Sequence, residues 1–466
     1  MSNATFTLRS PMPVSANELY AWYSRPLAFQ RLQPPWEHIE LKASHGNFGT
    51  DGYRVEIRMP FLGPLQTTWV AEHYDFQPGK QFQDRQLKGP FAFWNHSHRF
   101  IPDGPESSFL EDHIEYRVPL GAVGSVFGGG TVHQRLAATF AYRHALTASD
   151  LRRHNLYRAT PRLTIAVTGS RGLVGSELVP FLTTGGHKVV RFVTGKGTPS
   201  PGDPTRWVSW NPTSPLDPAM FEGIDAVIHL AGENVATGRW SEAKKREILE
   251  SRTAPTRHLA AAIAALPAAS RPKAFVCASA VGFYGNRGDE VLTEESPAGS
   301  GYFPEVCKAW EEAANPAEQA GVRTTHLRIG VVLTPRGGAL AKQLPAFRAG
   351  GGAVLGSGTQ WVPWIAIGDL VGAIHHCLMH EGVRGPVNAS APEPVTNHTF
   401  TKSLGRVLHR PAFLWLPPFM LRVMFGGITD DALLASLRAV PKKLLDTGFT
   451  FDHSELISAL RFQLGR

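Results

Sequence analysis

The chain contains 466 residues with a formal net charge of +8, and 42% of its residues are hydrophobic while 18% are charged. A chain of this length is longer than a typical single domain, so at least two domains are expected. The composition excludes a disordered chain. The modest basic excess suits anionic small molecules such as nucleotides, whereas the lack of a long basic run argues against nucleic-acid binding.

The cysteines and the most apolar segments bear on the compartment. Cys277, Cys307 and Cys377 are odd in number and lack metal-type spacing, so neither a disulfide framework nor a zinc site is expected. Residues 1–19 lack a basic region followed by an apolar one, and two prolines and an arginine interrupt the apolar residues 413–425. We therefore predict a cytoplasmic protein without a membrane span.

Strand-like segments separated by Gly, Pro and Asp dominate the first part of the chain, a pattern typical of an antiparallel sheet. The predicted strands are 53–59, 67–73, 81–87, 93–100 and 108–116. A helix is expected over 15–25, with Ser15 as its cap, and a longer one over 133–153. A helix lying across such a curved sheet would enclose a cavity, and we predict that this first domain covers residues 1–155.

From residue 163 onward, apolar strands alternate with helical stretches, which predicts a doubly wound parallel α/β sheet. The predicted strands are 163–168, 188–193, 226–230, 274–278 and 325–329, and the predicted helices are 174–184, 241–266 and 304–319. Glycine-rich loops, a helix near 369–380 and a proline-rich end then indicate a small substrate cap over the carboxyl ends of the strands. We predict that this second domain covers residues 162–466.

The strongest chemical signal is a glycine-rich segment between the first parallel strand and the helix after it. Its residues are Thr168, Gly169, Ser170, Arg171, Gly172, Leu173, Val174 and Gly175. Gly169 permits the tight turn, Gly172 lets backbone N–H groups approach a pyrophosphate, and Gly175 lets the helix pack on the strand. We predict that this loop holds the phosphates of a dinucleotide at the helix N-terminus, the alternative being a tight turn without a ligand.

The end of the second parallel strand bears on the choice between NAD and NADP. An acidic residue there would bind the ribose hydroxyls of NAD, but the sequence continues with Thr194, Gly195 and Lys196. Thr194 and Lys196 could accommodate a 2′-phosphate, and Arg171 could reach the same group as a charge-assisted donor. We expect NADP rather than NAD, the alternative being that Arg171 and Lys196 are only solvated surface charges.

The third parallel strand runs into Leu230, Ala231 and Gly232, where the backbone is expected to pass beside the adenosine or nicotinamide ribose. We therefore predict that these three residues contact the cofactor together with the glycine loop. His229 lies inside the strand rather than at its end, so we expect a buried, hydrogen-bonded histidine instead of an acid or base.

Several motifs together resemble one family, the atypical extended short-chain dehydrogenases/reductases known as nucleoside-diphosphate-sugar epimerase-like proteins. The matching segments are 168–175, 230–234, 240–241, 278–285, 310–313, 327–333, 337–340 and 386–392. The resemblance covers about residues 163–464 and implies a Rossmann fold that binds NADP(H), with a small C-terminal substrate domain but no defined substrate. Residues 94–100 and 116–121 resemble polyketide cyclase/START-like helix-grip domains, which implies an α+β fold for the first domain.

A short-chain dehydrogenase needs a Ser or Thr that orients the substrate carbonyl, and a Tyr and a Lys four residues apart on one helix face. Ser279 follows an apolar strand, where the first of these residues belongs, although it could also be a strand-end turn residue. Pro304 stands four residues before Lys308, so the Tyr-x-x-x-Lys pair is absent.

Other residues could replace the missing tyrosine. We predict Tyr284 as the acid, with aromatic packing under the cofactor as its alternative role, and we keep Tyr302 and Glu305 as further candidates. Lys308 could still contact the ribose hydroxyls. Cys307 is expected to be a small buried hydrophobic residue rather than a nucleophile.

The first domain carries one pair of interest, because His96 and His98 alternate along a predicted strand and therefore share a face. No third ligand stands at a useful spacing in the sequence. We therefore expect cavity lining or surface pairing, and we predict no metal site.

Two function classes follow from these residues. The first is an NADP-dependent oxidoreductase or epimerase acting on a small-molecule substrate, which the glycine loop and Ser279 favour. The second is a non-catalytic binding or carrier protein, in which the nucleotide tunes an apolar ligand held in the N-terminal domain. The missing Tyr-x-x-x-Lys pair favours the second class, but we prefer the first. No nucleic acid or membrane is expected as a partner, and a homodimer is compatible with the sequence.

Overall fold

The computed structural model describes residues 3–60, 65–119, 121–195, 199, 201–235 and 240–466. The first part of the chain is built on an antiparallel sheet. Its elements are β1 (Ala4–Met12), α1 (Ala16–Ser24), α2 (Ala28–Arg31), β2 (Glu40–His45), β3 (Tyr53–Pro60), β4 (Gln66–Gln77), β5 (Gln81–Lys88), β6 (Phe93–Pro102), β7 (Ser108–Arg117) and α3 (Gly121–Asn155). The seven strands follow the order β1-β7-β6-β5-β4-β3-β2, and each neighbouring pair is antiparallel.

The predicted strands of this part are confirmed, and the structure adds β1 and β2. Both form edges of the sheet, and no residue of β2 is fully buried, so its sequence has little need of apolar alternation. Ser15 caps α1 as predicted, because its hydroxyl accepts the N–H of Glu18 at 3.3 Å. Helix α3 begins at Gly121, well before the predicted start near residue 133, because glycines in its first turns weaken the helical pattern.

The second part of the chain alternates strands and helices. Its elements are β8 (Thr164–Thr168), α4 (Gly175–Thr184), β9 (Lys188–Val193), β10 (Arg206–Ser209), β11 (Ala226–His229), α5 (Glu242–Ala265), β12 (Ala274–Ala280), β13 (Val291–Leu292), α6 (Tyr302–Glu312), α7 (Asn315–Gln319), β14 (Arg323–Ile329), β15 (Val331–Leu333), α8 (Gly338–Arg348), β16 (Ala353–Leu355), β17 (Trp361–Val362), β18 (Trp364–Ala366), α9 (Ile367–Met379), β19 (Gly385–Ala389), β20 (Val395–Thr396), α10 (Asn397–Leu408), β21 (Leu414–Leu416), α11 (Pro418–Phe425), β22 (Arg438–Ala439), α12 (Lys442–Asp446) and α13 (Leu456–Leu464).

The main sheet of this part is parallel, with the strand order β10-β9-β8-β11-β12-β14-β19. Helices α4 and α9 contribute to the apolar core on one face, and α5, α6 and α7 contribute to the core on the other. The predicted doubly wound α/β fold is therefore confirmed. The order reverses between β8 and β11, and a reversal of this kind opens a crevice at the carboxyl ends of the two strands.

The C-terminal residues build a smaller apolar cluster from α8, α10 and α13, with the fully buried Trp364 of β18 inside it. Within the described part of the chain, no helix combines the length and the apolar character that crossing a lipid bilayer requires.

Asp369, in the first turn of α9, is a buried anchor between the two parts. Arg153, near the end of α3, donates from Nη2 to Asp369 Oδ1 at 2.7 Å, and the two side chains are 5% and 0% exposed. Asp369 also accepts the backbone N–H groups of Asp452 at 2.8 Å and His453 at 3.1 Å. A carboxylate without exposure needs such partners, so the anchor holds α3, α9 and the segment before α13 together.

A second buried ion cluster joins α2, α3 and α4. Arg31 donates from Nε to Asp150 at 2.8 Å and from Nη1 to Glu177 at 3.1 Å, and Arg31 and Asp150 are 2% and 0% exposed. Arg336 also donates to Glu177. Because Glu177 lies in the first turn of α4, the N-terminal part directly contacts the helix that follows the glycine loop.

Replacing Arg153 with methionine is expected to destabilise the protein by on the order of 3 kcal/mol, because Asp369 would stay buried without its counter-ion. Arg152→Met is the matched control. Arg152 also pairs with Asp452, but it is 43% exposed, so its loss should cost less than about 1 kcal/mol. Urea denaturation of the two variants tests this, and equal destabilisation would contradict it.

Candidate functional site

The glycine loop between β8 and α4 makes close backbone contacts that leave no room for a Cβ at Gly169 or Gly175. Gly169 has a φ of 65°, and a Cβ there would lie 2.7 Å from the backbone carbonyl carbon of Leu230. The N–H of Gly172 donates to the carbonyl of Gly169 at 2.9 Å, and a Cβ on Gly175 would lie 2.3 Å from the same carbonyl oxygen. The loop is therefore a tight backbone cradle at the start of a helix, where N–H groups have no intrahelical partner.

Two side chains of this loop can offer polar groups to a ligand. Ser170 is 2% exposed, yet its hydroxyl has no hydrogen-bond partner among the described residues. Arg171 is exposed and donates from Nη2 to the carbonyl of Thr194 at 3.2 Å, so its guanidinium lies at the carboxyl end of β9. The predicted juxtaposition of Arg171 and Thr194 is observed, whereas Lys196 lies outside the described residues.

Thr168 links the loop to the end of β11. Its Oγ1 accepts the N–H groups of Leu230 at 3.2 Å and Ala231 at 3.3 Å, and it lies 2.7 Å from Nδ1 of His229. Nε2 of His229 lies 3.0 Å from Thr256 Oγ1, and burial lowers the pKa of His229 to about 3. The prediction of a buried, hydrogen-bonded histidine is therefore confirmed, and Leu230 and Ala231 lie against the glycine loop.

Ser279, near the carboxyl end of β12, is tied into a buried ionic network. Its hydroxyl donates to Glu311 Oε1 at 2.8 Å. Arg328 of β14 donates to both oxygens of the same carboxylate at 2.8 Å, in the bidentate arrangement that gives strong charge-assisted bonds. Ser279 and Arg328 are both 3% exposed, so this network is part of the core beneath the strand ends.

Tyr284 extends the same network. Its hydroxyl donates to Asn388 Oδ1 at 2.7 Å and accepts a bond from Arg328 Nη1 at 3.0 Å, and the residue has no exposed surface. Burial raises the pKa of Tyr284, although Arg328 opposes that shift, so the hydroxyl keeps its proton at neutral pH. This position fits aromatic packing, and the role of Tyr284 as an acid stays a prediction.

The other predicted residues lie on or near α6. Tyr302 is the first residue of that helix, and its hydroxyl donates to the carbonyl of Lys245 at 2.6 Å. Lys308 and Glu305 are exposed. Cys307 is buried, and burial raises the pKa of its thiol to about 12, which fits the expected hydrophobic residue.

Sequence reasoning did not single out Glu311, Arg328 or Asn388 as site residues. Each lies in a segment that resembles the family, namely 310–313, 327–333 and 386–392. This resemblance is the feature of the sequence that could have marked them as site residues. The pairing of β12, β14 and β19 places Arg328 and Asn388 in the same row as Ser279, and α6 adds Glu311, which periodicity does not reveal.

Comparisons with known proteins bear on this geometry. Residues 165–389 match the model of the NAD dependent epimerase/dehydratase family, and residues 416–463 match that of a domain of unknown function, DUF1731. The chain is 41% identical over 303 residues to the epimerase family protein Mb2239 of Mycobacterium bovis, covering 65% of this chain and 98% of that protein. It is 36% identical over 301 residues to human epimerase family protein SDR39U1, covering 64% of this chain and 98% of the human protein.

Two crystal structures are also similar. One, of a nucleoside-diphosphate sugar epimerase from Corynebacterium glutamicum, has a TM-score of 0.78 and 32% identity, and the match covers 99% of this chain and 90% of that one. The other, human SDR39U1 (isoform 2) with NADPH, has a TM-score of 0.59 and 34% identity, and the match covers 65% of this chain and 99% of that one. Because the identity extends over nearly the whole length of these relatives, the protein belongs to the epimerase family that includes human SDR39U1.

Proposed function

We propose that this protein binds NADP(H) and acts on a small molecule as an oxidoreductase or epimerase of the short-chain dehydrogenase/reductase type. The observation that carries the proposal is the glycine loop with Arg171 placed at the end of β9, where the ribose next to the adenine lies in dinucleotide-binding folds. The structure of human SDR39U1 is described with NADPH, which supports NADP(H) as the cofactor of the present protein as well.

The residues present fit a dinucleotide. The partnerless buried hydroxyl of Ser170 is suited to a phosphate oxygen, and Arg171 supplies a guanidinium for a 2′-phosphate. The residues that would hold the cofactor are Gly169, Ser170, Arg171, Gly172, Leu173, Val174, Gly175, Thr194, Lys196, Leu230, Ala231, Gly232 and Lys308. When bound, NADP(H) supplies or accepts a hydride.

The chain's own residues would orient the substrate and move a proton. Glu311 fixes the hydroxyl of Ser279, and Arg328 fixes both Glu311 and the hydroxyl of Tyr284. Tyr284 Oη holds a proton at neutral pH and lies beside a guanidinium that would stabilise the phenolate. In this proposal, Ser279 orients the substrate and Tyr284 donates the proton.

A second function is supported by a different observation. The hydroxyls of Ser279 and Tyr284 are both engaged inside the protein, and Pro304 stands where the tyrosine of a Tyr-x-x-x-Lys pair would be. In this alternative the nucleotide is not turned over. Its binding would instead reach the N-terminal part through Glu177, which Arg31 contacts, and would tune binding of an apolar ligand there.

The two-domain description is part of the proposal. We assign residues 1–155 to a START-like helix-grip domain and residues 162–466 to the cofactor-binding domain with its C-terminal cap. The antiparallel sheet with the long helix α3 packed on β1 and β7 supports the first assignment.

Replacing Arg171 with alanine is expected to weaken NADPH binding about 10- to 100-fold and to leave NADH binding nearly unchanged, because a hydrogen bond to a charged group contributes about 1.5–3 kcal/mol. Lys188→Ala, at the opposite end of β9, removes the same charge and should bind NADPH as the wild type does. Calorimetric titration with both nucleotides measures this. Equal weakening of NADPH and NADH would contradict the assignment of Arg171 to the 2′-phosphate.

Replacing Tyr284 with phenylalanine separates the two functions. If the protein is an enzyme, the variant should keep NADPH affinity but lose at least about 100-fold in the rate of NADPH consumption with carbonyl substrates. Tyr302→Phe removes a hydroxyl that donates to a backbone carbonyl and tests the other tyrosine candidate; it should retain activity. Wild-type protein that binds NADPH but turns over no compound of a broad carbonyl panel would support the binding-protein alternative.

A further inference from the structure

A cluster of histidines and aspartates fills the inner face of the antiparallel sheet. The strand register places His73, Asp84 and His96 in one row across β4, β5 and β6, and His98 opposite Asp112 of β7 in the next row. Helix α3 covers the cluster, because His144 Nε2 lies 2.6 Å from Asp112 Oδ2. The sequence showed His96 and His98 on one face, and the register adds the carboxylates.

Three of these side chains converge as metal ligands do. Asp84 Oδ2 lies 3.0 Å from His96 Nδ1 and 3.3 Å from His98 Nε2, and the three ligand atoms lie within 4.8 Å of one another. Ligand atoms bound to one tetrahedral Zn²⁺ at about 2.0–2.1 Å are separated by about 3.3 Å. The spacing therefore suits a single small divalent ion.

A second carboxylate stands behind both histidines. Asp112 Oδ1 is hydrogen-bonded to His96 Nε2 at 2.8 Å and lies 2.7 Å from His98 Nδ1. Each ring therefore turns one nitrogen toward Asp112 and the other toward Asp84. A carboxylate on the far nitrogen is the usual arrangement that orients a metal-binding histidine and raises its basicity.

The surroundings of Asp84 leave atoms available that could bind a metal ion. The indole N–H of Trp94 donates to Asp84 Oδ1 at 3.2 Å, which fixes the carboxylate and leaves Oδ2 facing the two histidines. Nδ1 of His73, the cross-strand neighbour of Asp84, is buried and has no hydrogen-bond partner in the part of the chain that the structure describes. Nδ1 of His98 also lacks a partner with hydrogen-bond geometry, although it is near Asp112.

The charges in the cluster also favour a cation. Asp84 and Asp112 are 7% and 1% exposed. Two buried carboxylates need two positive charges, which two imidazolium protons or one divalent cation can supply.

A second histidine cluster, His154, His187 and His375, is less suited to a metal. These three residues are buried without a carboxylate among them, and Arg25 and Arg162 lower the pKa of His187 further than burial alone does, to about 4. Nδ1 of His187 accepts the N–H of Leu163 at 3.1 Å, so Nε2 of the neutral ring carries the proton.

We propose that Asp84, His96 and His98 bind one divalent transition-metal ion of the Zn²⁺ type. In this site Asp112 orients His96 through a hydrogen bond and lies beside His98, and His73 is the adjacent donor. Two imidazoles and one carboxylate favour Zn²⁺, Co²⁺ or Fe²⁺ over Ca²⁺ and Mg²⁺, which prefer all-oxygen sites. The site lies in the N-terminal part of the chain and shares no residue with the glycine loop.

The test uses full-length protein treated with a chelator and dialysed. Calorimetric titration with Zn²⁺ is expected to show one equivalent bound per chain, and Co²⁺ should produce the visible absorption bands of a four-coordinate ion. Asp84→Asn and His98→Ala should each weaken Zn²⁺ binding at least about 100-fold, and Asp112→Asn about 10- to 100-fold. Zn²⁺ should raise the thermal unfolding midpoint of the wild type but not of Asp84→Asn.

The controls separate this site from others. His113, next to Asp112 on β7 and on the opposite face, is the matched control, and His113→Ala should bind Zn²⁺ as the wild type does. His187→Ala should also leave binding unchanged. Asp84→Asn is nearly isosteric and carries the test if His98→Ala fails to fold. No stoichiometric binding by the wild type, equal binding by every variant, or loss of binding in His187→Ala alone would each overturn the proposal.

Discussion

Asp369 has no exposed surface, and its carboxylate is balanced by Arg153, which belongs to the other half of the chain. An unpaired buried carboxylate would cost several kcal/mol, so the helix that ends the antiparallel part cannot leave the parallel part without a large penalty. The same carboxylate accepts two backbone N–H groups from the segment before α13. One buried charge therefore sets the position of the N-terminal part, the core helix α9 and the C-terminal segment.

The second ion cluster connects the N-terminal part to the proposed cofactor site. Arg31 reaches Glu177, which lies in the first turn of the helix that opens with the glycine loop. The N-terminal part thus contacts the element that would carry the phosphates of the cofactor, and the two proposed functions differ in what that contact does. In an enzyme it supports the loop, and in a binding protein it transmits nucleotide occupancy.

The strand-end network joins the two proposed catalytic hydroxyls in a chain that lacks the Tyr-x-x-x-Lys pair. Arg328 joins Glu311 to the hydroxyl of Tyr284, and Glu311 in turn holds Ser279, so polar groups beneath the strand ends satisfy one another. Such a network is rigid because releasing any member leaves a buried partner unsatisfied. The proposed catalytic hydroxyls are consequently preorganised, and a substrate would have to compete with internal partners for them.

Local patterns in the sequence determined five of the seven strands of the main parallel sheet, the glycine loop and the buried state of His229, because strand periodicity and the steric need for glycine act over a few residues. The edge strand β2 and the early start of α3 were missed, since tertiary packing overrides weak local propensity there. Only the tertiary structure brought Asp84 to His96 and His98, and Glu311 and Arg328 to Ser279. These partners lie on different strands and helices, and the register that unites them depends on how whole elements pack.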